Sequence, residues 1–81
     1  MDMLKLKIIS PEKVIFDGEV ESLKVPGMLG EFEILNNHAP IISSLVSGNV
    51  TYTSKEGGNT LAVKGGFVEV KKNEVSLCVE V

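Results

Sequence analysis

Over most of this chain, apolar and polar residues trade places at every second position, and that period dictates what it can fold into. Leu4, Leu6 and Ile8 alternate with Lys5 and Lys7. Val50 and Tyr52 alternate with Thr51 and Thr53, and Val75, Leu77, Val79 and Val81 finish the chain on one parity. A period of two is the mark of a strand with one buried face. No stretch repeats at the helical period with caps. Turn signals at Ser10-Pro11-Glu12, Lys55–Asn59, Gly65-Gly66 and Lys71–Glu74, with a turn or bulge signal at Asp17-Gly18, cut the chain into about nine short strands. The expectation is an all-β fold, a β-sandwich or flattened barrel, with residues 1–81 as a single domain.

Two places disturb the pattern. Val20 and Leu23 lie on opposite parities, so both face one core only if an extra residue enters near Ser22, as a β-bulge or twist. The second is Val25–Gly48, which holds two of the three prolines and the single histidine. Pro26-Gly27 is expected to end a strand, because proline offers no donor to the ladder. Met28-Leu29-Gly30 then forms a loop tip with two exposed hydrophobes. Phe32 and Ile34 make a short strand between Glu31 and Glu33, and Asn36-Asn37-His38-Ala39-Pro40 forms a rigid polar corner. A positive φ is expected at Gly48.

Composition removes several functions. Net charge is -3 and all eight basic residues are lysines. Without arginine's bidentate fork or tryptophan, nucleic-acid recognition is disfavoured. Cys78 is the only cysteine, so an internal disulfide is out and a reducing compartment fits. One histidine with one cysteine gives no zinc spacing. No run approaches the roughly 18 apolar residues of a membrane span. Met1–Lys5 offers no signal-peptide core, and Asn49-Val50-Thr51 is then a chance match to a glycosylation acceptor.

The candidates for chemistry are few. His38 has no nucleophile motif beside it, so a partner contact or a structural role fits better than catalysis. Glu31 and Glu33 share one side of a strand, but acid–base work needs surroundings that separate their pKa values. A solvated acidic edge, or contact with a positive partner, is the plainer reading. Pro26–Gly30 lacks the Gly-Lys-Ser/Thr ending of a phosphate loop and precedes a strand, not a helix. Met28, Leu29, Ile41 and Ile42 are the informative hydrophobes, since an apolar loop tip marks a partner surface. The residues describe a binding module rather than an enzyme.

The run Pro26-Gly27-x-x-Gly30-Glu31-Phe32-x-Ile34-Leu35-x-Asn37-His38-Ala39-Pro40 resembles the signature of the epsilon subunit of F-type ATP synthases. Leu6-x-Ile8-x-Ser10-Pro11-Glu12, Phe16-x-Gly18-Glu19-Val20, Leu45-x-x-Gly48-x-Val50-x-Tyr52 and Gly65-Gly66-Phe67-x-Glu69-Val70 match in order and spacing. The resemblance covers essentially the whole chain. It implies a ten-stranded β-sandwich at the foot of the central stalk, clamping the gamma subunit to the membrane c-ring so that ion-driven rotation becomes torque. It implies no bond chemistry, no cofactor and no metal. Membrane contact would be indirect, through the c-ring, at the cytoplasmic face of a bacterial inner membrane, and no obligate homo-oligomer is implied. Carried over by position, Gly27, Met28, Leu29, Gly30 and Glu31 would face the c-ring, with Glu31 meeting its positive loops. His38, Ala39, Pro40, Ile41, Ile42 and Ser43 would face gamma. Most family members continue into a C-terminal helical hairpin that can inhibit hydrolysis. This chain stops at Val81; a natural short form without that route of inhibition is expected, the alternative being a chain from which the hairpin has been cut away. The competing reading is a free-standing sandwich that binds a small ligand. It would need a concave site rich in aromatics, and only Phe16, Phe32, Phe67 and Tyr52 are available.

Overall fold

The structure, a computed structural model, describes residues 3–35 and 38–81, with the backbone alone at His38. Nine strands lie among the described residues: β1 (Leu4–Ile9), β2 (Val14–Val20), β3 (Ser22–Gly27), β4 (Gly30–Ile34), β5 (His38–Leu45), β6 (Gly48–Ser54), β7 (Gly57–Val63), β8 (Gly65–Lys72) and β9 (Glu74–Glu80). The described residues include no helix.

One continuous sheet curls into two leaves. The first runs β2-β1-β9-β8-β5, and the second holds β4, β3, β6 and β7. They join at a corner where β5 meets β3 in a single register pair, Leu45 with Gly27. There the Val46 N–H donates to the Pro26 carbonyl at 2.9 Å. β1 and β9 run parallel, and every other pairing is antiparallel. The inward-facing residues of both leaves make the core: Leu4, Leu6, Ile8, Val68, Val70, Val75 and Leu77 from one, Leu23, Val25, Ile34, Val50 and Tyr52 from the other. Each fully buried Leu or Val is worth about 1.5–3 kcal/mol. Phe16 reaches across to Tyr52, ring centroids 4.7 Å apart. No polar or charged side chain among the described residues is buried.

The expected extra residue near Ser22 is present. The Glu21 N–H donates to the Thr53 carbonyl at 2.7 Å, while Ser22 is the register partner of that same Thr53. Two residues face one, so Val20 and Leu23 are both fully buried despite opposite parity.

Four turn expectations need correction. Asp17-Gly18 lies inside β2, in register with Lys7 and Leu6. The glycine there makes room for the Phe16 ring, which a Cβ would approach to 3.2 Å. Pro26-Gly27 lies inside β3 instead of ending it. The loop expected over Lys55–Asn59 shrinks to Lys55-Glu56, since Gly57 already pairs with Ser54. Gly65-Gly66 opens β8, and the chain changes leaves one residue earlier, at Lys64.

Candidate partner-docking site

The hairpin of β3 and β4 builds one wall of the site. Its two-residue turn, Met28-Leu29, is closed by Gly27 paired with Gly30. Gly30 sits at φ +124°, a conformation that glycine reaches without strain. Gly27 lies under the Phe32 ring, which an added Cβ would approach to 2.8 Å. A two-residue turn makes its flanking residues a hydrogen-bonded pair, and pairs then alternate along the ladder. Pro26 with Glu31 is therefore a non-hydrogen-bonded pair. The missing N–H of Pro26 costs the β3–β4 ladder nothing, and its carbonyl turns the other way, to Val46. That is how a proline stands in mid-strand. The turn leaves Met28 71% and Leu29 105% exposed.

The second wall is β5. His38 pairs with Lys72 and Ile41 with Val70, so one extra residue is absorbed between them. Pro40 sits in that irregular stretch, a place where proline is tolerated. This corrects the polar corner: Asn36 and Asn37 lie outside the described residues, while the backbone of His38–Pro40 belongs to a strand. Past the irregularity, Ile41 turns partly inward onto the core, and Ile42 turns outward with 74% exposure.

The two walls enclose an open groove of 610 Å³, lined by Gly27 to Phe32 on one side and Ile42 to Ser44 on the other. A smaller depression lies beyond Ile42, between Pro40 and the Glu69–Lys71 stretch of β8. Ile42 is thus a ridge shared by two hollows. Glu31 and Glu33 stand exposed on β4 beside the main groove. Gly27, Met28, Leu29, Gly30 and Glu31 therefore come together with Ile42 and Ser43 at one surface. Ala39 and Pro40 are exposed further along β5, Ile41 is the inward member, and the His38 side chain lies outside the description.

Two groove residues escaped the sequence reading. Phe32 and Ser44 complete the lining, and only the meeting of Gly27 with Leu45 brings them close. A second apolar hollow, of 460 Å³, forms on the outer face of the first leaf around Ile9, Pro11, Gly65, Gly66, Phe67 and Cys78. The outward parity of Ile9 and Phe67 was its one signal. Among the described residues, no three of His, Cys, Asp and Glu converge as a metal site.

The profile of the ATP synthase delta/epsilon chain β-sandwich domain matches residues 3–81. This chain belongs to that family. It is 47% identical over 77 residues to the ATP synthase epsilon chain of Leptospira interrogans, covering 95% of this chain and 61% of the relative. The chain thus spans less than two thirds of the length of that relative. The epsilon chain of Chlorobium limicola is 40% identical, with 94% of this chain and 88% of the relative covered. Among solved structures, a chain of the Euglena gracilis mitochondrial ATP synthase superposes with a TM-score of 0.89 at 19% identity, over 95% of this chain and 50% of that one. A chain from the central stalk and c-ring of the Tetrahymena thermophila enzyme gives 0.80 at 18% identity, over 99% and 65%. At these identities the structures establish the shared fold. The β-sandwich expected from the alternating pattern is the fold of the family.

Proposed function

We propose that this domain is a non-catalytic subunit of the central stalk of an F-type ATP synthase. In this reading it binds the gamma subunit and the c-ring and passes ion-driven rotation from one to the other. The observation that carries it is the groove between the β3–β4 hairpin and β5. Three exposed hydrophobes, Met28, Leu29 and Ile42, ring one concave surface beside two carboxylates. Apolar anchors in a groove with a charged rim are the anatomy of a protein interface. The hairpin Gly27–Glu31 would present its tip to the positive loops of the c-ring, and His38–Ser43 would present β5 to gamma. Because Ile42 and Ser43 of the second set line the same groove as the first set, one surface would hold both partners against each other, which suits a clamp. The complex would place the domain at the cytoplasmic face of a bacterial inner membrane, touching lipid only through the ring. A clamp needs no bond chemistry of its own, so in this reading catalysis is left to other subunits.

Co-purification with the cognate gamma subunit, followed by calorimetry, tests this reading. A stable one-to-one complex is expected. A folded chain that fails to bind gamma would overturn it.

A further inference from the structure

We infer that the outer edge of β4 is a strand-addition site, which takes an extended segment of a partner protein carrying basic residues two apart with an apolar residue between them. The inference deepens the stalk reading by naming how a partner is held, and it rests on that reading for the partner's identity. It starts from the ladder. Gly27 and Gly30 are hydrogen-bonded across the turn, so Val25–Phe32 and Leu23–Ile34 are the next hydrogen-bonded pairs. Glu31 and Glu33 fall between them. Their main-chain N–H and C=O groups point away from β3, toward the side of β4 where no described strand pairs. Two residues thus offer two donors and two acceptors at the spacing that an added strand requires.

The side chains select what can be added. Glu31 and Glu33 are both exposed on one face of β4, and Phe32 between them is half-buried on the other. Opposite charges at cross-strand positions attract, and like charges directly opposite repel. A second copy of this edge would set carboxylate against carboxylate, so self-pairing is disfavoured. A strand with lysine or arginine opposite Glu31 and Glu33 would gain two ion pairs with its backbone bonds, and an apolar residue between them would meet the Phe32 face. The apolar tip, Met28-Leu29, lies at the end of the same edge and extends the surface into the groove.

Amide hydrogen exchange, read by NMR on the whole chain, tests this. The Glu31 and Glu33 amides should exchange rapidly in the free chain. Bound to the cognate c-ring in detergent, the partner that the stalk reading gives this hairpin, they should slow by about tenfold or more. Glu33→Pro removes one outward donor without touching the β3–β4 ladder, and should weaken binding about tenfold or more. The double change Glu31→Gln, Glu33→Gln should weaken it at low ionic strength and by less at high salt. Bound c-ring with both amides exchanging as in the free chain would overturn the inference, even if the proline variant fails to fold. Should the c-ring not bind at all, that half of the stalk reading falls, and a blocked Lys-Val-Lys-Val-Lys peptide then decides the edge by itself. Slowed exchange at both amides with that peptide, and none with Glu-Val-Glu-Val-Glu, supports strand addition. No slowing with either overturns it.

Discussion

Replacing Gly66 by alanine is the sharpest test of how closely β8 and β9 approach within the first leaf. Gly66 stands opposite Val79 in the β8–β9 ladder at φ +144°. A Cβ built there would overlap the Cys78 carbonyl oxygen and lie 2.9 Å from the Val79 Cα. Those atoms are backbone of a central strand, so they cannot swing aside as a side chain tip would. The positive φ costs an L residue about 1–2 kcal/mol. Separating the strands at this pair gives up one or two ladder hydrogen bonds, at about 1 kcal/mol each. The sum is about 2–4 kcal/mol. A domain of this length is stable by about 4–12 kcal/mol at the usual value per residue, so a large share is at stake. With a urea m-value of about 1 kcal/mol/M for a small domain, the midpoint should fall by about 2–4 M. Gly58→Ala is the matched control, since nothing lies within 4 Å of its added Cβ, and it should shift the midpoint by less than about 0.5 M. A Gly66→Ala midpoint within that same range would refute the close-approach reasoning.

Three further outcomes follow from the same geometry. Leu77 is fully buried in β9, and Leu77→Ala should cost about 2–5 kcal/mol by urea denaturation; a cost under about 1 kcal/mol would mean that the site collapses without a cavity. Gly48→Asp should destabilise through contact with Pro26, whose Cβ lies 2.8 Å from the added Cβ, and a Pro26→Gly partner change should recover part of the loss, giving a coupling of about 1 kcal/mol or more in a double-mutant cycle. Additive effects would show that the clash is relieved elsewhere. Glu31→Lys should weaken docking while leaving the far-UV spectrum unchanged, because the residue is exposed; loss of strand signal would show that Glu31 supports the fold itself.

The Gly48 prediction also shows where sequence reasoning reaches its limit. Glycine after Ser47 at a turn suggested a positive φ, yet Gly48 is absent from the positive-φ glycines. It is paired with Val63 inside β6, and what excludes a side chain is Pro26, 22 positions earlier in the chain. No local signal carries that information. Ile41 and Ile42 pose the same difficulty. Adjacent isoleucines cannot both face one core, and the sequence does not say which turns out. The extra residue absorbed between His38 and Ile41 decides it.

Strand content, the inward residues of β1, β6 and β9, and the two-to-one step at Ser22 are all legible in the order of residues, because alternation and its breaks are local consequences of the pleat. That order also marks Met28, Leu29 and Glu31 as surface residues, since an apolar tip between glycines has nowhere to bury itself. That this tip and β5 line a single groove is a matter of long-range packing. That depends on Leu45 meeting Gly27 at the corner of the curled sheet, a contact between segments whose own periods are equally satisfied in many other pairings. The free edge of β4 was settled there too, because which backbone groups remain unpaired depends on which strands come to lie beside them.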